Sequence, residues 1–550
     1  AGGADVDDDG FPDSAFSAVT ADPLGRDNAG EMVLVFGDGS LGDSLTTADF
    51  DDGLLKIIGQ DPWEIAGVEI EIADVTGDGI GDVLVGRQNY SPSMARPGAG
   101  ALTILVGGQP LRDHAATLAY LDLGSIPMTI AATTLVGPAS YDRLGIWMRT
   151  GDVDGDDVMD IVVGADEVDK TVAMTLEANR GAAYVIRGGA HLAATQTVDL
   201  LAFGTMAFPV ALQGHVALLE PPAGSAGYHL GATVQIGDLD GDGKGEVLAA
   251  AALNRSNADL KLPGAPPGTG ESNGGAPHGE VFIAWDENFP TTPWASGYTI
   301  DLTGPAMNLT RLRGSSTPPT NGELGEEMLA GRDYDGDGSP DLYLGDLTGN
   351  PGNRPVAGLG HVFFNAAALR GVDAELGDLM AVPPAGLRST LIIGPTAVAI
   401  SSDTAVHGDY DGDGLADLAI CNPKDDPQAR NSAGTGHGIY GEVGGWPVEI
   451  DLAPANLPSP EAVRIVEIQG AVGAAGSNGG DTLCYSAAGG DVNDDGVPDL
   501  VINEMEGDGF MADGGDPGSE LDPIPDAGNL LLVGGAPLLE KVLLDVDGDG

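Results

Sequence analysis

The chain is short of the residues on which most functional classes depend. Cysteine occurs only at Cys421 and Cys484, so at most one intrachain disulfide is available, and a disulfide or two buried thiols both fit. Lysine and arginine together number 23 against 84 acids, a net charge of −61, which argues against nucleic-acid phosphate as a ligand. No apolar run approaches the ~18 residues of a membrane-crossing helix, so no membrane span is expected. Long helical periodicities are missing, while 87 glycines and 37 prolines imply many turns. No G-x-S-x-G in a strand-to-helix elbow, H-E-x-x-H helix or phosphate-binding loop occurs. The eight histidines are scattered, and His361 and His437 lie in matching places beside Gly360 and Gly436, which suggests packing within a repeat rather than ligation. A glycosidase-like carboxylate pair stays open, although almost all acidic clusters have another explanation.

That explanation is a nine-residue pattern with acids at positions 1, 3, 5 and 9 and Gly at position 6, as in Asp333-Tyr334-Asp335-Gly336-Asp337-Gly338-Ser339-Pro340-Asp341. It occurs seven times, starting at residues 5, 74, 152, 238, 333, 409 and 491, and an incomplete copy spans Asp545 to Gly550. Alternate carboxylates on a tight loop turn towards one centre, the Gly permits the φ > 0 bend, and clustered hard oxygens select a hard divalent cation. Calcium is expected, up to about seven ions. The side-chain ligands are read as Asp5, Asp7, Asp9 and Asp13; Asp74, Thr76, Asp78 and Asp82; Asp152, Asp154, Asp156 and Asp160; Asp238, Asp240, Asp242 and Glu246; Asp333, Asp335, Asp337 and Asp341; Asp409, Asp411, Asp413 and Asp417; and Asp491, Asn493, Asp495 and Asp499. A backbone carbonyl is assigned to position 7, where Phe11, Lys244 and Ser339 all occur. Magnesium fits less well because it resists dehydration. An EF-hand would need an acid at position 12, but that position holds Phe16, Val85, Val163, Ala249, Leu344, Ile420 and Ile502.

After position 9 comes a short apolar run, such as Ile161-Val162-Val163-Gly164 or Leu342-Tyr343-Leu344-Gly345, and before several copies lies a segment opened by Leu-Gly, as at Leu144-Gly145 and Leu230-Gly231. These read as buried strands, so the loop is a hairpin turn between two of them. Next follow Gly-led strands such as Gly181-Ala182-Ala183-Tyr184-Val185-Ile186. In this order of loop, strand, turn and Gly-led strand the chain resembles the FG-GAP repeat of integrin alpha-subunit propellers, and the resemblance covers nearly all 550 residues. Leu-Gly stands in place of Phe-Gly, Thr76 and Asp157 depart from the pattern, and copy four closes on Glu246. Loops two and three are therefore expected to bind metal more weakly than loops five and six.

The repeat spacing, 69 to 95 residues between successive starts, points to one closed array over 1–550 rather than several domains. The expected fold is all-β, a seven-bladed β-propeller of four-stranded antiparallel blades, with segments such as Val198-Asp199-Leu200, Tyr298-Thr299-Ile300-Asp301-Leu302 and Val448-Glu449-Ile450-Asp451-Leu452 as outer fourth strands. Calcium-binding hairpin loops would ring one face. The opposite face would carry the insertions Asn254 to Gly279, Gly345 to Gly360, Asn422 to Gly436 and Glu504 to Gly528, where a protein or glycan partner would bind. Of the 84 acids, 55 lie outside the loops, an acidity suited to a saline or calcium-rich exterior. Ala1 in place of Met suggests a processed chain. The functional expectation is a secreted, extracellular or cell-surface propeller without catalytic activity, serving adhesion or structural assembly. Two short ends, Ala1 to Ala4 and Lys541 to Gly550, suggest self-association head to tail. The alternatives are the propeller part of an extracellular hydrolase or lyase, and a carbohydrate-binding propeller. Sugar binding would need clustered aromatics, which make up only 5% of the chain.

Overall fold

Runs of β-branched and small apolar residues, cut every five or six positions by Gly, Asn or Asp, favour short strands buried on both faces. In the computed structural model these runs form the strands of an all-β propeller. The described residues are 1–37, 53–117, 120–252, 278–291, 293–303, 306–474, 480–491, 496–505, 509–510, 523–524 and 529–533. The insertion at 254–277, most of 504–528, and the end at 534–550 lie outside them. Six blades of four or five strands are present, followed by a sheet of three.

Contacts group the chain into two compact units. The first contains Ala1–Arg313 with Leu369–Ala374 and holds four large sheets, besides a two-stranded ribbon of Lys170–Val172 and Thr175–Glu177. In the third of these, Met148–Gly151, Asp160–Ala165, Ala182–Ile186 and Val216–Glu220 run antiparallel in chain order. The second and fourth sheets repeat this order with Ala66–Ala73, Asp82–Arg87, Ala101–Leu105 and Ala132–Val136, and with Thr233–Gly237, Glu246–Ala250, Glu280–Ala284 and Leu309–Arg313. The first sheet starts with Ser14–Ala18, and its inner strand is reduced to a single bridge from Gly2 to Ser14. The second unit holds Leu324–Arg332, Asp341–Asp346, Leu359–Phe364 and Arg388–Ile393 in one sheet, and Ala405–Gly408, Asp417–Asn422, Thr435–Ile439 and Ile465–Gln469 in the next. Its three-stranded sheet comprises Leu483–Gly490, Asp499–Glu504 and Asn529–Val533.

The outer edges correct the sequence reading. Val198, Ile300 and Ile450 are not in fourth strands of their own repeats. They belong to fifth strands that reach back and add in parallel to the preceding sheet: Gln196–Asp199 on Ala132–Val136, Tyr298–Asp301 on Val216–Glu220, and Glu449–Asp451 on Arg388–Ile393. Tyr120–Asp122 does the same on Leu54–Ile58. The true fourth strands, such as Val216–Glu220 and Ile465–Gln469, alternate buried and half-buried residues, as expected for strands near an edge.

Within each unit the core lies between successive sheets. Val162, Val185, Ala217, Val247 and Phe282 pack between the third and fourth, and Tyr343, Val362, Leu418, Ile420 and Ile439 between the fifth and sixth. Gly231 permits the close approach, because at φ +89° a Cβ there would sit 2.4 Å from the Ala182 carbonyl oxygen. Cys421 and Cys484 form a disulfide joining a strand of the sixth sheet to the three-stranded sheet. Among the described residues no helix is long and apolar enough to cross a membrane.

Candidate metal centres

Loops two to six are each the turn of the hairpin between the first two strands of their sheet, with the last residue before the loop paired to position 9: Ala73 with Asp82, Gly151 with Asp160, Gly237 with Glu246, Arg332 with Asp341, Gly408 with Asp417; loop one turns between the Gly2–Ser14 bridge and Ser14–Ala18. The turn is tied by its own carboxylates. In loop one Asp5 accepts from the amides of Asp8, Asp9 and Gly10 at 2.7, 3.2 and 2.7 Å. Asp238 accepts from Gly241 at 2.6 Å and Gly243 at 2.9 Å. The position 5 acid accepts the amide two residues on, as Asp337 does from Ser339 at 2.8 Å, and Asp9, Asp78, Asp156, Asp242 and Asp413 do likewise.

Position 9 fastens the loop to the sheet. Asp13 accepts from Val6 at 2.6 Å and Gly37 at 2.7 Å, and Asp160 from Val153 at 2.9 Å and Gly188 at 2.7 Å. Asp82, Glu246, Asp341 and Asp417 make the same pair of contacts. Position 6 has positive φ throughout, including Asp157 at +65°. Position 4 does too, at Asp8, Gly77, Gly155, Gly241, Gly336 and Gly412, a second left-handed position that the sequence pattern also carries as Gly.

In five loops the structure brings positions 1, 3 and 9 together: Asp5, Asp7 and Asp13; Asp152, Asp154 and Asp160; Asp238, Asp240 and Glu246; Asp333, Asp335 and Asp341; Asp409, Asp411 and Asp417. One oxygen from each lies within 4.8 Å of the other two, which fits a common cation bound at the ~2.3–2.6 Å of calcium–oxygen contacts. The position 5 acids are not part of these groups. Loop two, with the buried Thr76 between Asp74 and Asp82, forms no such triad. In loop seven Asp491 and Asp499 are described, while Asn493 and Asp495 lie outside the described residues. A donor set with room for a cation should leave an oxygen unused, and in loops one, three and four it does: Asp7 Oδ1, Asp154 Oδ1 and Asp240 Oδ1 are buried without a hydrogen-bond partner.

The other side of position 3 holds a feature the sequence reading missed. Every acidic position 3 in these triads is paired with an arginine, and every such arginine lies over an aromatic ring. Arg112 faces Asp7 at 3.5 Å and Phe36 at 4.7 Å. Arg187 faces Asp154 at 3.0 Å and Trp294 at 4.3 Å. Arg370 pairs with Asp240 over Trp285, Arg388 with Asp335 over Phe364, and Arg464 with Asp411 over Tyr440. These arginines come from different parts of the repeat. Arg112 and Arg370 arrive from the following repeat, Arg187 follows a third strand, and Arg388 and Arg464 stand at the start of fourth strands. The same contact is thus built from three backbone origins. At loop two the residue matching Phe36, Trp285 and Phe364 is Val106.

Burial sets the electrostatics. Desolvation outweighs two backbone hydrogen bonds at each position 9, raising Asp13 and Asp82 to about 6, Asp160, Asp341 and Asp417 to about 7, and Glu246 to about 8. Asp7, Asp154 and Asp335 are also raised, by burial first and neighbouring carboxylates second, against the pull of their arginines. A bound divalent ion would supply the missing counter-charge.

His361 and His437 are buried in matching strand positions, bonded to Asn321 and Asn422, and burial lowers both to about 4. They serve packing. No protein-family model matches the chain, and no curated protein is significantly similar to it.

Proposed function

We propose that this chain is a calcium-stabilised, FG-GAP-like propeller that works outside the cell as a binding or structural module rather than as a catalyst. The three-stranded sheet would be its seventh blade. The observation that carries the reading is the recurrence of one donor set in five loops, each with an arginine behind the central carboxylate. A catalytic constellation is made once, whereas a stabilising ion suits every repeat. With all acids ionised and one arginine each, loops five and six stand near −3, loops one and three, with five acids, near −4, and loop four, with Lys244, near −2, charges that a divalent ion reduces without reversing.

Sugar binding is the weaker alternative, because Tyr120 is the one exposed aromatic side chain among the described residues and stacking on sugars needs exposed rings. The test is calorimetric titration of chelator-treated protein with calcium and, separately, magnesium. About five calcium ions per chain, with Kd near the 10⁻⁴–10⁻³ M of extracellular modules, are expected. Nanomolar affinity, equal binding of magnesium, or fewer than three sites would overturn the reading.

A further inference from the structure

Four of the loops are tied to the loop before them by one repeated backbone contact. The amide of position 8 donates to the carbonyl of position 1 in the preceding loop: Gly81 to Asp5 at 2.7 Å, Met159 to Asp74 at 3.3 Å, Gly245 to Asp152 at 2.6 Å, and Ala416 to Asp333 at 2.9 Å. A second bond runs beside three of these. Gly108, Gly189 and Glu442 donate to the position 2 carbonyls of Val6, Val75 and Tyr334 at 2.6, 2.8 and 3.0 Å. Each directly follows the glycine, Gly107, Gly188 or Gly441, whose amide is held by the position 9 acid of its own repeat. Side chains close the same joint. A Cβ on the position 4 glycines Gly77, Gly155 and Gly336 would lie 3.1, 3.2 and 3.1 Å from Val158, Lys244 and Leu415, the position 7 residues of the next loops. Glycine at position 4 thus serves the neighbouring loop besides its own turn.

One peptide group, between positions 7 and 8, therefore serves two candidate cation sites. Its carbonyl belongs to position 7, the main-chain ligand expected for its own loop, while its N–H holds the backbone of a position 1 residue whose carboxylate belongs to the loop before. A carbonyl engaged on a cation makes the N–H of its own peptide group a stronger donor, and a planar peptide cannot turn at one end without turning at the other. Proline occupies position 8 in loops one, five and seven, as Pro12, Pro340 and Pro498, and proline has no N–H to give. The links run through loops one to four and begin afresh between loops five and six. Loops three and four, and loops five and six, are the linked neighbours in which both members carry the carboxylate triad.

We propose that calcium binds cooperatively within these two pairs, loop three with four and loop five with six, and that the position 8 amides of Gly245 and Ala416 couple the members of each pair. The proposal rests on the calcium reading given above. With loop six filled, the peptide group at Ala416 is fixed, and so, through Asp417, Gly441 and Glu442, is the backbone at Tyr334. Tyr334 lies between the ligands Asp333 and Asp335, so the ordering that loop five needs is already in place when its own ion arrives. By linkage, filling loop five favours loop six by the same factor.

The test is amide hydrogen exchange on the full chain, followed by mass spectrometry against free calcium, so that peptides covering 333–341 and 409–417 report their loops separately. Protection of both peptides rises over the same calcium range, more steeply than for a single independent site. Asp335→Asn moves the midpoint of loop six at least about fivefold to higher calcium, although no ligand of that loop is altered, and Asp411→Asn moves loop five by the same factor. Ala416→Pro, which installs the residue that loops one, five and seven carry at this position, reduces both shifts to less than about twofold, whereas Ala416→Ser, which keeps the N–H, retains them. The reciprocal shifts are read without the proline variant, so they decide the matter even if that variant does not fold. Independent titration of the two loops in the wild type, shifts that stay above about twofold in Ala416→Pro, or their loss in Ala416→Ser overturns the proposal. Calorimetry separates the two readings: no calcium uptake removes both, whereas uptake without cooperativity removes the coupling alone.

Discussion

Loops four and two have nearly the same backbone and different chemistry. In loop two Asp74 accepts from Gly77 at 2.7 Å and Gly79 at 2.8 Å, matching the bonds of Asp238 to Gly241 and Gly243, and Asp78 and Asp82 repeat the contacts of Asp242 and Glu246. Loop two makes its turn with Thr76 at position 3. The acid at position 3 is therefore not needed to shape the turn, whereas positions 1, 5 and 9 are. Where that acid is present, as Asp240, one oxygen goes to Arg370 and the other has no partner. The comparison separates two jobs within nine residues: a turn that closes itself, and a cation site that position 3 completes.

The largest expected effect comes from removing the ion, which should erase the difference between the two kinds of loop. At a hundredfold excess over Kd each occupied site contributes about 2.7 kcal/mol, so several sites together dominate the stability of the metal-bound protein. Excess chelator at constant ionic strength should lower the melting temperature by well over about ten degrees. A curve that does not move means that the loops hold themselves together without metal.

Next in size is converting loop four into loop two. Asp240→Asn should weaken calcium at that loop about 100-fold while leaving the metal-free melting temperature within a few degrees, because the turn does not use this carboxylate. If the metal-free form instead loses most of its stability, position 3 is part of the turn after all. The reverse change, Thr76→Asp, should add a calcium ion to the chain, counted by calorimetry, but at lower metal-free stability, since loop two has Val106 where other loops have an aromatic ring and none of its acids pairs with an arginine among the described residues.

Acidity should sharpen the comparison among the triads themselves. A position 9 carboxyl whose folded pKa is raised favours the protonated folded state; its stabilising contribution is complete below the ordinary carboxyl range and is lost as pH rises through the folded value. Metal-free protein should thus become less stable from about pH 4 to pH 8, as Asp13 near 6, Asp160, Asp341 and Asp417 near 7, and Glu246 near 8 ionise. Calcium needs the ionised form, so its affinity should fall by up to about tenfold per pH unit on acidification, first at loop four and last at loop one. Site-resolved titrations showing the same pH dependence at both loops would contradict this order.

How far the sequence could be read follows from how local each feature is. The turn at Asp333–Asp341, its flanking strands and the third strand after it are encoded within about thirty residues and were legible as spacing. The fifth strands were not. Val198 and Ile450 look like outer strands of their own repeats, and only the pairing with Val136-containing and Ile393-containing neighbours shows otherwise. In loop three, expected to bind metal more weakly because of Asp157, that residue takes the left-handed conformation at φ +65° and the triad beside it forms. The arginines were hidden because Arg112, Arg187 and Arg388 share no position in the repeat; alignment on the aromatic ending of the third strand, Phe36, Trp285, Phe364 and Tyr440, was the one available signal.

The smallest effect concerns those arginines, and its sign is the informative part. Arg370 faces the position 3 oxygen opposite the one left for the cation, so it acts on the site in two opposing ways. It holds Asp240 in place, which favours binding, and it places a positive charge near the ion, which disfavours it. In the metal-free protein it has a third effect: with Asp238, Asp240, Asp242 and Glu246 crowded into one loop, it adds to Lys244 as a counter-charge, paired directly with Asp240 and held by its ring contact with Trp285. Position 1 and position 9 are already fixed by backbone amides, so the orienting effect is confined to one ligand, whereas relief of repulsion involves all four. The counter-charge role should therefore dominate. Arg370→Met, which keeps much of the apolar stem, should lower the melting temperature in chelator more than in calcium. By linkage, calcium must then bind the variant more tightly, by a factor of about two to ten. Calorimetry on Arg370→Met and on the equivalent Arg464→Met decides it: weaker binding in both would mean that the arginine chiefly orients the carboxylate, and the guanidinium would then be part of the cation site rather than its substitute.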